Sequence, residues 1–154
     1  MMFVDLIYGT ALLASLLWFS AALRYFGFQQ YAAAKVMVPR SARLSPVFDS
    51  MAAGIRFLGG FNGAFALLCL CLFALLVAGG PHFTSDIERV VVLLAIAAAH
   101  FSQFLGNVPI LRNGERQGER YWPVLSGPMR FIFLMDAAQF ALAGAAIVVL
   151  LASG

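Results

Sequence analysis

The chain has 154 residues, 62% of them hydrophobic and only 11% charged, with a formal net charge of +3. Soluble domains carry about 25% charged residues, so this composition excludes an ordinary soluble domain and indicates a small polytopic membrane protein. The positive charges lie mainly in two segments between apolar stretches, so we expect the chain to have a lipid bilayer, and no nucleic acid, as its partner.

Four apolar stretches are each long enough for a helix that crosses a bilayer, which takes about 18 residues. Because backbone groups cannot remain unpaired in hydrocarbon, these spans must be helical. The start of the chain lacks a basic segment and carries Asp5, so we expect the first span to be retained and not cleaved as a signal peptide. The prediction is an all-α polytopic membrane protein whose single domain, 1–154, is a four-transmembrane-helix bundle. The expected spans are residues 6–23, 57–80, 90–111 and 131–151.

Basic residues determine the expected orientation of these helices. All but one of the ten lie in the segments 24–56 and 112–130, and Arg89 is the exception. Since cytoplasmic loops are enriched in arginine and lysine, we expect both segments on the cytoplasmic side and both termini on the non-cytoplasmic side. The expected location is the inner (cytoplasmic) membrane of a bacterium.

Three helix starts carry local signals. Ser45 and Ser126 each precede a first turn that contains proline, as expected for an N-cap. Ser85 is followed three residues later by Glu88, which is the spacing of a capping box.

Two stretches allow more than one interpretation. Residues 25–39 are too polar for a span, and they either continue the first helix or form an interfacial helix that ends before Pro39. Gly59 and Gly63 form a GxxxG motif, which indicates close helix packing either within the bundle or against another chain.

Polar side chains are concentrated in the cytoplasmic half of the predicted bundle. Counting about 1.5 Å per residue from the cytoplasmic ends of the spans, His100 is deepest at about 16 Å, and Asp136 lies near the level of Asn107. Intramembrane polar residues often mark functional sites, but hydrogen bonds between helices can also serve only to hold a bundle together. The predicted cluster comprises Asn62, His100, Gln103, Asn107, Asp136 and Gln139.

Asp136 is the only carboxylate inside a predicted span. An ionised carboxylate facing lipid would cost several kcal/mol, so we expect it to face the bundle interior, either paired or protonated. Its candidate charge partners are His100, Arg24, Arg56 and Arg130. No haem, metal or other cofactor is predicted, because His100 is the only histidine inside a span and no zinc-ligand spacing is present.

The stretch GNVPI (106–110), followed by Trp122 and Arg130, resembles the anthrone-oxygenase-like family of small four-helix membrane proteins. Members tend to carry Asn-x-Pro at this point, then a tryptophan and an arginine. The chain departs from the pattern at Leu111, where a second asparagine is expected, and in the Gly-Pro-Met directly before Arg130. The resemblance implies cofactor-free oxygenation of an aromatic polyketide, with Asn107 and Arg130 near the site.

The leading functional prediction is a small integral membrane protein that binds an apolar or lipid-like small molecule at the polar cluster. A membrane enzyme acting on such a molecule is a variant of this prediction. The alternative is an accessory or structural subunit of a larger membrane complex, in which the polar cluster joins helices and the partners are other subunits or a second copy. A proton or ion pathway is disfavoured, because one carboxylate and one histidine make only a short relay.

Overall fold

The structure is a computed structural model that describes residues 2–118 and 120–153. It is 83% helical, which confirms the predicted all-α class. The first helix ends in a π-helical turn, and two very short strands form a hairpin before the last helix. The elements are α1 (Met2–Ala22) with its π-helical turn (Leu23–Phe28), α2 (Gln30–Met37), a 3₁₀ turn (Arg40–Ala42), α3 (Val47–Ala78), α4 (Asp86–Arg112), β1 (Arg116–Gln117), β2 (Arg120–Tyr121) and α5 (Gly127–Ser153).

Among the described residues, four helices are long and apolar enough to cross a membrane. They correspond one to one to the four predicted spans and extend beyond the predicted bounds, except that α3 ends at Ala78 and not at residue 80. The extension is largest at α3, which begins at Val47 and not at Phe57. Apolar composition marks the part of a helix that suits hydrocarbon, whereas hydrogen bonding continues into the polar turns on either side. The four stretches are Phe3–Phe28, Val47–Ala78, Asp86–Arg112 and Gly127–Ser153.

Two of the predicted helix starts show the expected side-chain contacts, although α3 begins at Val47, one residue after Pro46. Ser85 and Glu88 form the predicted capping box: each side chain accepts a hydrogen bond from the backbone N–H of the other residue, at 3.4 and 3.3 Å. At the start of α3 the N–H of Val47 donates to the hydroxyl oxygen of Ser45 at 3.3 Å. These side chains supply acceptors to N–H groups that have no partner within the helix.

The chain divides into two compact units, Leu12–Ala78 and Met1–Ala11 with Gly79–Gly154. In the first unit, residues 25–39, for which the sequence allowed two interpretations, combine both of them. The first helix continues through the π-helical turn, and a separate helix, α2, follows it. The short helix packs on the first turns of α3. Their shared core consists of Ala33, Ala34, Val38, Phe48, Ala52 and Ile55.

A close backbone contact lies within this same unit. Gly59 of α3 is buried, and a Cβ atom built on it would overlap the Cα and N atoms of Gly27 in the π-helical turn. A Cβ built on Gly63 would meet only the Leu23 side chain, at 3.2 Å. The GxxxG motif therefore acts through its first glycine, and it packs against a segment of the same chain.

Arg43 caps the end of α2. Its Nε donates to the carbonyl of Val38 at 3.1 Å, and its Nη2 donates to the carbonyl of Lys35 at 2.6 Å. Carbonyls in the last turn of a helix have no partner within the helix, and a cation there also opposes the negative end of the helix dipole. The Arg43 side chain is therefore engaged by the end of α2.

In the second unit, α4 and α5 pack antiparallel, and the hairpin connects them. Arg116 pairs with Tyr121, and Gln117 pairs with Arg120. Glu115 fixes the base of the hairpin: one carboxylate oxygen accepts from the N–H of Leu125 and the other from the hydroxyl of Tyr121, both at 2.7 Å. The backbone hydrogen bond from Leu125, followed by the Tyr121 hydroxyl, lowers the pKa of Glu115 below its ordinary value.

We expect acid to loosen this hairpin. Because the folded-state pKa of Glu115 is lowered, its stabilising effect is complete above the unfolded pKa, near 4.3, and is lost as the pH falls through the folded value. The amide resonance of Leu125 in detergent micelles should therefore titrate as the pH is lowered from about 6 to 3. The Glu115→Gln variant should lack this titration, and an unchanged titration in that variant would assign it to another group.

Candidate functional site

A histidine and an aspartate meet in the middle of the packed α4–α5 pair. His100 Nδ1 and Asp136 Oδ1 are 2.8 Å apart, which is the distance of a short charge-assisted hydrogen bond. Both side chains are buried, with His100 at 1% and Asp136 at 5% exposure. The sequence proposed both residues as members of one cluster, and the structure brings them into direct contact.

The contact corrects the levels predicted for these two residues. Counting from Leu111 and Arg130 places His100 about 7 Å deeper than Asp136. In the structure α4 ends at Arg112 and α5 already begins at Gly127. Counted from these helix ends, the two residues differ by only about 5 Å along the axis, which the imidazole ring can span.

The amides of the cluster lie on the same two helices but serve different local roles. Gln139 is buried one turn after Asp136 on α5. Asn107 is buried near the end of α4, where its Nδ2 donates to the backbone carbonyl of Gln103 at 2.8 Å. The side-chain oxygen of Gln103 lies 3.5 Å from the same nitrogen. The Asn107 amide group is thus largely engaged by its own helix.

Asn62 and the candidate arginines have their own surroundings. Asn62 belongs to the other unit, and its Nδ2 donates to the carbonyl of Leu58 on its own helix at 2.7 Å. Arg24, Arg56 and Arg130 are all exposed. Of the four candidate charge partners of Asp136, His100 is the one that the structure places against it.

Four phenylalanine rings of α4 and α5 pack against one another. Phe104 lies 5.0 Å from Phe133 and 6.1 Å from Phe140, and Phe101 lies 5.3 Å from Phe140, measured between ring centroids. Phe101 follows His100 directly in the sequence, and Phe140 follows the buried Gln139. Rings at these separations attract one another beyond the effect of burial alone. Aromatic packing therefore also joins α4 to α5, which the polar pattern of the sequence did not indicate.

The geometry of the pair allows two protonation arrangements. With a neutral imidazole, Nδ1–H of His100 donates to the ionised Asp136, and the pair has a net negative charge. With both ring nitrogens protonated, the imidazolium and the carboxylate form an ion pair with no net charge. A carboxylate on one ring nitrogen fixes the orientation of the imidazole ring.

A second ion pair, formed by a buried arginine and a half-buried aspartate, lies at the start of α4 and was missed by the sequence interpretation. Arg89 Nη2 is 2.8 Å from Asp5 Oδ1, and Arg89 Nε donates to the carbonyl of Phe83 at 3.2 Å. The guanidinium carbon lies 5.1 Å from the ring centroid of Tyr8, within range of a cation–π interaction. A usable signal was present, because Asp5 and Arg89 are isolated charges at predicted span ends on the same side of the membrane.

Metal binding finds no support among the described side chains: within residues 2–118 and 120–153, no three His, Cys, Asp or Glu side chains are grouped to hold an ion. The two cysteines of α3 differ in exposure, since Cys69 is buried and Cys71 exposed. Neither is therefore assigned a role in the site.

The residues that carry the resemblance to the anthrone-oxygenase-like family differ in their surroundings. Asn107 is buried and bonded to its own helix, whereas Arg130 is exposed. The His100–Asp136 contact has no counterpart in the motif that suggested the resemblance. The resemblance stays a prediction, since the chain matches no family model, no curated protein and no solved structure.

Proposed function

We propose that this chain is an integral membrane protein that binds an apolar or lipid-like small molecule beside the His100–Asp136 pair. The observation that carries the proposal is the 2.8 Å contact between two buried ionisable side chains in the middle of the α4–α5 pair. In the proposed arrangement the four long helices form one bundle in the inner membrane of a bacterium. The basic segments face the cytoplasm and both termini face the opposite side.

The free energy of burying two charged groups favours a role for the His100–Asp136 pair other than stabilising the fold. Removing two charges from water costs several kcal/mol for each ion, and their attraction offsets this cost only when the geometry is good. Well-packed apolar side chains at the same positions would hold two helices together about as well. A group that exchanges a proton or a hydrogen bond with a ligand gives the pair a role that apolar residues cannot fill.

The chemistry of the pair indicates what the ligand should offer. The His100–Asp136 pair supplies polar, ionisable side chains that can recognise an oxygen or nitrogen atom of a bound molecule. The Phe101, Phe104, Phe133 and Phe140 rings supply apolar surface for the rest of that molecule. An enzyme that uses the same pair for general acid–base chemistry is the catalytic variant of this proposal.

The alternative role, an accessory subunit of a larger membrane complex, is favoured by a different observation. The side-chain amides of Asn62 and Asn107 each donate to a backbone carbonyl of their own helix, so each has a structural role within that helix. In this alternative the His100–Asp136 hydrogen bond joins α4 to α5 and does nothing else.

Asp136→Asn separates the two roles. Asparagine still accepts a hydrogen bond from His100, so we expect the variant to fold, but it lacks the negative charge of the carboxylate. Losing a charge-assisted hydrogen bond corresponds to about tenfold weaker binding or more. We therefore expect the small molecule that mass spectrometry detects in the gently solubilised protein to be lost from this variant.

The matched control is Asp49→Asn, which changes an exposed aspartate at the start of α3 in the same way and should retain the molecule. Equal retention in both variants would contradict the binding proposal. Stoichiometric copurification with other chains that weakens only in Asp136→Asn would support the accessory-subunit alternative instead.

A further inference from the structure

Segment 24–56 carries a marked excess of basic over acidic residues. It contains five basic residues and one acidic residue, whereas segment 112–130 contains four basic and two acidic residues. One of the five, Arg43, is engaged by the end of α2. Within residues 2–118 and 120–153, the other four form no ion pair, and all are exposed: Arg24, Lys35, Arg40 and Arg56.

Large apolar side chains are exposed in this same segment. Leu44 is 95% exposed, between the 3₁₀ turn and α3. On α2, Tyr31 and Lys35 are four residues apart, so an exposed aromatic ring and a cation share one face of the helix. Apolar groups next to cations suit the boundary between headgroups and acyl chains, where each finds a favourable environment. The exposed apolar side chains of the segment are Phe28, Tyr31, Val36, Leu44, Val47 and Met51.

The length of α3 places this segment at a bilayer surface. Its 32 residues would be about 48 Å long, which exceeds the hydrocarbon thickness by about 18 Å. The charged side chains of α3, Asp49 and Arg56, both lie in its first third, so the excess length is at the start of the helix. The shared core of α2 and α3 is built on this excess part. The surface that the segment meets is therefore that of the bilayer crossed by its own helix.

We propose that segment 24–56 binds the headgroups of anionic glycerophospholipids in this bilayer. The phosphate of the lipid lies against Lys35 and Arg40, and the exposed apolar side chains around them contact the upper part of the acyl chains. Of the two basic segments this one is favoured, because its excess of basic over acidic residues is larger and because it exposes more large apolar side chains than segment 112–130, where Tyr121 and Leu125 are exposed. This lipid contact is independent of the His100–Asp136 pair and of any molecule bound there.

Native mass spectrometry of the full chain in detergent tests this proposal. The delipidated protein is titrated with phosphatidylglycerol and, in parallel, with phosphatidylcholine. Each basic residue near an anionic surface contributes about a fivefold factor, so the double variant Lys35→Gln/Arg40→Gln should bind phosphatidylglycerol roughly thirty-fold more weakly. Binding of phosphatidylcholine should be unchanged. Both side chains are exposed, and a melting curve checks that the variant is folded.

The matched control is Arg112→Gln/Arg116→Gln, which removes two exposed arginines from the other unit. Retained phosphatidylglycerol binding in this control supports the assignment, whereas an equal loss in both double variants overturns it. Displacement of the lipid by inorganic phosphate at millimolar concentration would also overturn it, because the site would then recognise a free anion and not a lipid surface.

Discussion

Gly59→Ala is expected to lower the free energy of unfolding by about 3 kcal/mol, at the upper end of the range for overpacked sites. A methyl group at this position would overlap backbone atoms of Gly27, and backbone cannot rotate away as a side chain can. The α3 helix and the π-helical turn would have to separate, and their other contacts would be lost with them. Replacement of Gly27 should cost less, because its Cβ would meet the Leu23 side chain at 3.2 Å and the Cα of Gly59 only at 3.7 Å.

Two neighbouring glycines of α3 provide matched controls. A Cβ on Gly60 has no neighbour within 4 Å, so Gly60→Ala should be neutral or stabilise the helix by up to about 1 kcal/mol. Gly63→Ala meets only a flexible leucine and should have a small effect. Unfolding by SDS in mixed micelles gives the free energies. Equal effects of alanine at positions 59 and 60 would show that the close approach does not contribute to stability.

Asp5→Ala is expected to destabilise the protein by about 2 kcal/mol. Removing one partner of a fully buried ion pair costs about 3–5 kcal/mol, because the remaining charge has lost its compensation. Here the aspartate side chain retains 31% of its exposure and the arginine side chain 8%, so solvent reduces the loss. Arg89 would keep its hydrogen bond to Phe83 and its contact with the Tyr8 ring.

A double-mutant cycle isolates the pair itself. Arg89→Met removes the buried cation, so no uncompensated positive charge remains when Asp5 is also replaced. Asp5→Ala should therefore lower the free energy of unfolding much less in that background, with a coupling energy of about 1 kcal/mol or more. Asp49→Ala is the control, since this aspartate is exposed in the first turn of α3 and should contribute less than about 1 kcal/mol through the helix dipole. A coupling energy near zero would mean that the 2.8 Å contact adds nothing to stability.

The fold class and the approximate helices could be predicted because they depend on local composition. Four long apolar runs require helices in hydrocarbon, and serine with glutamate three residues later forms a capping box wherever it begins a helix. The polar face of α4 was likewise visible, because residues at helical spacing share a face in any helix. His100 lies on this polar face, and Asp136 is indicated separately as the only carboxylate in a predicted span.

The tertiary structure alone decided which of these residues meet. His100 faces Asp136 at 2.8 Å, Arg89 faces Asp5, and Gly59 lies against Gly27, while Asn62 and Asn107 turn back to their own helices. Hydropathy and periodicity describe each helix separately, so they specify what lies on a face. Contacts between residues far apart in the chain depend on the rotation and axial offset of packed helices, which are set by the fit of all side chains at once.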